Sequence, residues 1–220
     1  AAIYGAFIPN PMHVYRTAGV LAGLGLSYGG ATTEEDVVGL IFADQGIDLS
    51  KISGDIKIVS YLQGYGDTTT DEINAAIQAA PEAFISVGMA TTFFTQQLNA
   101  AGIEFSDIDS FTKSNGEAIT NGKLVYLAGK YSSSVGPAFA LVMNAINGNV
   151  IRDAQGNAVS LSQNYQVATD SETFDKFYKN DNGDNPIYSR DTLDQIIGDT
   201  VTFDTVSYTH LRAHETGRNL

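Results

Sequence analysis

Asn10, Arg16, Tyr65, Asp67, Asp71, Met89, Thr91, Lys130 and Tyr131 are spread along the chain so that four of the five strand-to-helix junctions of its first two thirds carry two or three of them. Such a set suits reversible capture of a hydroxyl-rich solute: carboxylates accept from hydroxyls, Arg and Lys donate, and an aromatic face covers ring carbons. Each residue also has a structural reading. Arg16 fits a surface ion pair, Asp67 shapes a turn beside Gly66, Asp71 favours a helix N-terminus through the dipole, and His13 reads as a solvated helix residue. Lys130 directly precedes Tyr131 and a serine run at a helix start.

Catalytic signatures are weak or missing. Gly23-Leu24-Gly25 falls late in a helix, where it cannot cradle a pyrophosphate. Gly64-Tyr65-Gly66 follows a strand, but no third glycine and no Lys-Ser/Thr pair complete a phosphate loop. Ser86 lacks the preceding glycine of a nucleophile elbow. Cysteine is absent, which excludes disulfides, thiolate nucleophiles and Cys-ligated zinc. No HExxH or Asp-rich metal pattern occurs. The chain therefore reads as a binder rather than an enzyme, with no cofactor. The formal charge of -13 and the lack of any basic cluster argue against nucleic acid or an anionic membrane surface as partner. No apolar run approaches the roughly 18 to 20 residues that span a bilayer.

These residues need a frame, and the pattern supplies one around residues 110–149: the end of a strand, a short helix closed by Gly122, a strand over 123–128, a polar bend and a helix over 132–147. Upstream the unit recurs. A strand over 1–8 leads to Asn10-Pro11, an N-cap followed by a first-position proline, and a helix reaching Tyr28. Thr32 with Glu35 reads as a capping box for a helix ending at Gly46. A strand over 56–62 precedes the loop QGYGDTT, and Thr69 with Glu72 opens a helix stopped by Pro81. A strand over 83–87, a helix over 90–101 and a strand over 107–111 follow. Five strands alternating with helices predict an α/β fold, a doubly wound parallel sheet. Residues 149–205 form an appendage: a hairpin turning at Gln155-Gly156-Asn157, then short helices over 170–178 and 189–197 joined by KNDNGDNP.

The boundaries that follow are 1–148 for the ligand-binding lobe, 149–205 for the appendage, and 206–220 for a non-native tail. The tail holds His210, His214 and Glu215, which at helical spacing would make a metal site. The string VSYTHLRAHET instead resembles the translated read-through of a sequencing adaptor. AAIYGAFI opens directly as a strand, with no basic start or cleavage site, so a further piece is expected upstream.

GEAITNGKL followed by a strand, a polar pair and a helix with Gly136 in its first turn resembles the C-terminal half of type I periplasmic solute-binding proteins of the ribose-binding kind. AFISVGMATTFFTQQLNAAGIE resembles the same family's strand and following helix. Together these stretches cover about residues 56–149. The resemblance implies a two-lobed monomer that closes over a small polar solute, often a sugar, and delivers it to the membrane subunits of an ABC importer. A periplasmic or extracellular, lipid-anchored location follows from the family alone. By position, family ligand contacts fall near Arg16, Asp71 and Lys130. Val87-Gly88 stands before Met89-Ala90 where the family carries an Asn-Asp pair, and Lys130 stands where Gln is usual, which favours a solute with an acceptor or anionic group. Two related readings stay open: the effector-sensing domain of a LacI-type transcription regulator, and a nucleoside-binding lipoprotein of the basic-membrane-protein group.

Overall fold

The computed structural model describes residues 1–64, 70–109, 111–161, 164–182 and 186–207. Its elements in chain order are β1 (Ala2–Tyr4), α1 (Pro11–Gly23), β2 (Ser27–Tyr28), α2 (Glu34–Asp44), β3 (Ile52–Ser53), β4 (Ser60–Leu62), α3 (Thr70–Gln78), β5 (Ala83–Ser86), α4 (Ala90–Phe93), α5 (Thr95–Ala101), β6 (Glu104–Asp109), α6 (Lys113–Thr120), β7 (Leu124–Gly129), α7 (Gly136–Ile146), β8 (Gln166–Ala168), α8 (Ser171–Asn182) and α9 (Arg190–Asp194). Two compact units divide them: residues 1–109 with 117–127, and residues 110–116 with 128–220.

In the first unit the strands neighbour one another in the order β4-β1-β5-β6-β7. β1 pairs in parallel with β4, Ala2 facing Ser60, and with β5, Ala2 facing Phe84; β5 pairs in parallel with β6. β8 belongs to the second unit, as do the last residues of β7. The architecture is the doubly wound α/β sheet that the alternating pattern predicts.

β1 is buried on both sides because helices cover both faces. Ile3 packs with Val14 and Leu21 of α1 and Val38 and Ile41 of α2. Tyr4 points the other way, its ring edge-on to Phe94 at 4.8 Å, and Phe84 of β5 meets the same Phe94 at 5.8 Å. Burying a side chain of this size contributes roughly 1.5–3 kcal/mol, so these few contacts fix which face each strand residue takes.

Local differences from the sequence expectation have physical causes. The cap of α2 is Thr33, whose hydroxyl accepts from the Asp36 N–H, rather than Thr32 with Glu35. The expected single helix over 90–101 breaks at Phe94, whose φ of -127 lies outside the helical region and whose ring is buried between Tyr4 and Phe84. The strand expected over 107–111 runs earlier, as β6. The helix expected from residue 132 opens with a 3-10 turn, Ser132–Val135, before α7. The insertion between β1 and β4 holds a two-stranded antiparallel sheet of β2 and β3. The capping box at Thr69 lies outside the described residues.

The second unit has its own core: Ala140 of α7, Ile151, Ile196 and Val206 are buried together. Asn144, also on α7, is fully buried and fully used, donating from Nδ2 to the Ile196 carbonyl and accepting at Oδ1 from the Gly198 N–H, both at 2.8 Å. The hairpin expected after α7 is present as a bridge between Arg152 and Ala158 around Gly156, which takes a φ of 81.

Candidate functional site

Ligands of open parallel sheets sit beyond the carboxyl ends of the strands, where helix N-termini and loops converge. In the first unit the chain leaves β1 through Gly5 and Ala6, and Ala6 takes a left-handed φ of 54. A Cβ on Gly5 would lie 1.9 Å from the Tyr61 hydroxyl, so the close approach of β1 to Tyr61 requires glycine there. The turned loop is pinned from both sides. The Tyr4 hydroxyl donates to the Gly64 carbonyl at 2.7 Å, and the Phe7 N–H donates to Nδ1 of His13 at 3.0 Å. His13 is thus a buried loop support rather than the solvated residue its position on α1 suggested. Asn10 caps α1, its side-chain oxygen accepting from the Met12 N–H at 3.0 Å.

Arg16 reaches from α1 across two further junctions. Its Nη2 donates to Oδ1 of Asp109 at 2.6 Å, while Nη1 donates to Oδ2 at 3.3 Å and to the Val87 carbonyl at 2.9 Å. The pair is mostly shielded, at 10% and 22% side-chain exposure. Asp109 ends β6 with a φ of 109, a conformation that L residues hold only when surrounding contacts enforce it.

Asp107, 3% exposed on the same strand, holds the start of α4: its oxygens accept from the N–H groups of Ala90 at 2.8 Å and Thr91 at 3.0 Å, and from Ile108 at 3.0 Å. Burial pushes its carboxyl above the usual carboxylate range, against the lowering effect of those hydrogen bonds. Thr91 is itself buried in this arrangement, whereas Met89, just before α4, stays partly exposed.

A recess of about 680 Å³ opens at the carboxyl ends of β1 and β4 and against the last turn of α2. Its walls include Phe7, Pro9, Phe42, Gln45, Gln63 and Glu72. The rings of Phe7 and Phe42 are 47% and 39% exposed, which is unusual for phenylalanine and leaves both available to a ligand. Glu72 accepts from the Gln63 N–H at 3.3 Å, tying the first turn of α3 to the end of β4. A second recess of about 650 Å³, lined by Leu49, Ile52, Lys57, Val59 and Ala79 among others, opens at the amino end of β4. That is the end of the sheet opposite to where ligands of open parallel sheets sit, so the first recess is the stronger ligand site.

Of the residues expected to bind, Asn10, Arg16, Asp71, Met89 and Thr91 belong to this unit and lie in or beside its carboxyl-end loops. Asp71 is exposed in the first turn of α3. Lys130 and Tyr131 belong to the second unit, where Lys130 is exposed and Tyr131 is buried. The Tyr131 ring lies 5.9 Å from that of Phe111 and 6.2 Å from that of Phe177, and burial raises its hydroxyl pKa to about 12. It is a core aromatic there rather than a rim residue. Tyr65 and Asp67 lie outside the described residues, as do His210, His214 and Glu215. Among the described residues no group of His, Asp and Glu could hold a metal ion, and none of the helices is long and apolar enough to cross a membrane.

Phe7, Phe42, Gln63, Asp107 and Asp109 complete the site without having been singled out from sequence, and Glu72, read there only as part of a helix cap, joins them. Only Phe7 and Gln63 carried a signal, through their place at strand ends. No family model, no curated protein and no solved structure matches the chain.

Proposed function

We propose that the chain is the solute-capturing part of a substrate-binding component of an ABC importer, holding a small polar compound of the sugar or sugar-like class reversibly and without chemistry. The observation that carries this reading is the recess at the carboxyl ends of β1 and β4, walled by two exposed aromatic rings and edged by amide and carboxylate groups. Aromatic walls with a few polar groups are the usual composition of a small-molecule site, and carbohydrate rings offer C–H faces to the former and hydroxyls to the latter. The ionisable groups of the neighbouring loops are committed to structure, which favours binding over catalysis: Arg16, Asp107 and Asp109 hold backbone or one another, and His13 holds the Phe7 N–H.

Delivery to importer membrane subunits, function as a monomer and an exported, lipid-anchored location accompany this reading. Its support is the resemblance of GEAITNGKL and AFISVGMATTFFTQQLNAAGIE to the solute-binding family, together with the doubly wound sheet.

The test is a thermal-shift and calorimetric screen of the purified chain against pentoses, hexoses, nucleosides and sugar acids. A solute at about a hundredfold excess over its dissociation constant adds roughly 2.7 kcal/mol of stability, an easily read shift. A saturable response to a sugar supports the reading, and a response to nucleosides alone transfers it to the nucleoside-binding alternative. Silence across the panel overturns it.

A further inference from the structure

The walls of the recess are chemically lopsided. Phe7, Pro9 and Phe42 give it apolar faces, Gln45 and Gln63 give it neutral donors and acceptors, and among the described residues Glu72 is the one charged group that lines it. Among the described residues no Lys, Arg or His lines it. A neighbouring recess of about 340 Å³ shares Gln45, Gln63 and Glu72 and adds Asp44 and Asp48. Lys51 is held on Asp44 of that recess, with Nζ 2.7 Å from each carboxylate oxygen. The last turn of α2 presents its carbonyl end to the same space and carries no basic residue. A helix C-terminus carries a partial negative charge. The opposing N-terminus of α3 is offset by Asp71 and Glu72 in its own first turn. The recess therefore sets a carboxylate and a helix C-terminus beside exposed aromatic rings.

Resting on the solute-binding reading above, we propose that this recess selects a ring compound bearing a protonated amine, of the amino-sugar class, with the C–H face of the ring on Phe7 and Phe42 and the ammonium group at Glu72. An ammonium within reach of a carboxylate is favoured by Coulomb attraction, and more so where aromatic faces also border it. A carboxylate or phosphate ester would meet Glu72 and the α2 carbonyls with the wrong sign. This inverts the preference for an acceptor or anionic group that Arg16 and Lys130 suggested from sequence. Arg16 is turned onto Asp109 and Val87, and Lys130 lies in the other unit.

The experiment is isothermal calorimetry of the full chain with glucosamine, galactosamine and mannosamine, each against its neutral parent hexose and its N-acetyl derivative. The amine form of at least one ring should bind about tenfold more tightly than both neutral forms, a difference of about 1.4 kcal/mol. Glu72→Gln should bring the amine and neutral forms of each ring to within about twofold of one another, while an amide oxygen can still accept from the Gln63 N–H and keep the end of β4 in place. Because Glu72 is exposed, the preference should also shrink as salt rises. Phe42→Ala should weaken charged and neutral rings alike. Neutral rings binding as tightly as the amines, or a preference that survives Glu72→Gln, would overturn the inference and leave solute binding standing. Silence from every ring, charged and neutral, overturns both.

Discussion

Arg16 and Asp109 meet through both prongs of the guanidinium, at 2.6 and 3.3 Å, and the same guanidinium holds the Val87 carbonyl. One side chain from α1 thus ties the end of β6 to the loop that follows β5. The residue expected from sequence to reach for a solute is, in the structure, part of what keeps three junctions together.

Removing Arg16 should therefore be felt in stability even with no solute present. Arg16→Ala leaves a shielded carboxylate and a carbonyl without their donors, at a cost of about 2–3 kcal/mol. Arg16→Lys should recover less than half of that, since a single ammonium cannot reproduce the fork. Urea denaturation of the two variants, with Asp109→Asn completing a double-mutant cycle, reads the coupling. A cycle that closes at zero would show that the pair contributes nothing.

Asp107 makes a prediction about pH. Its folded-state carboxyl is raised by burial, so between the ordinary value of about 3.9 and its raised value the folded chain binds more protons than the unfolded one. Stability from this group is therefore present at low pH and is lost as pH rises through that window. Asp107→Asn should flatten this part of the stability–pH curve. Asp107→Ala, which strips the acceptor from the Ala90, Thr91 and Ile108 N–H groups, should cost about 2–3 kcal/mol at neutral pH. Denaturation midpoints of the three proteins between pH 3 and 7 decide it. A mutant curve parallel to the wild type would sink the assignment.

Gly5 admits no side chain while Tyr61 stands where it does. Gly5→Ala should destabilise by about 1–3 kcal/mol, as overpacking does. Tyr61→Leu in the same chain should return part of the loss, because the first atoms a Cβ meets are the hydroxyl and ring of Tyr61. Thermal unfolding of the single and double variants checks this, and a Gly5→Ala protein as stable as wild type would refute it.

In the second unit, Asn144→Ala should cost about 2–4 kcal/mol, because the Ile196 carbonyl loses its partner in a buried place and the Gly198 N–H in a partly buried one. Asn144→Leu, which fills the volume but not the bonds, should fare no better. Amide exchange at Gly198 provides a local readout: its N–H should lose protection in both variants.

The alternation of strands and helices was legible because β1, buried at all three positions, and β5 read as short apolar runs between helix signals. Asn10-Pro11 fixed the start of α1 to the residue. Thr32 and Thr33 offered two caps one residue apart, and propensity could not choose between them. β2 and β3 are two residues each, too short for any period to register. The break at Phe94 is a tertiary effect, made by where Tyr4 and Phe84 place their rings. The site was legible in its loops and less so in its residues. His13, Tyr131 and Thr91 are polar or amphipathic groups that the fold buries, and nothing local marks them as inward. Asp107 and Asp109 lie two apart on β6, yet one caps a helix and the other meets Arg16, a division set by strand geometry and by helices distant in sequence.

β1 stands between β4 and β5, so the strand made before both of its partners is the one that both require. During synthesis its three residues stay unsatisfied until Ser60 and then Phe84 have emerged, and the apolar edge they expose in that interval is a target for chaperones or for misassembly. The chain's vulnerability is therefore greatest in time rather than in place, during the stretch of translation between the first strand and the fifth.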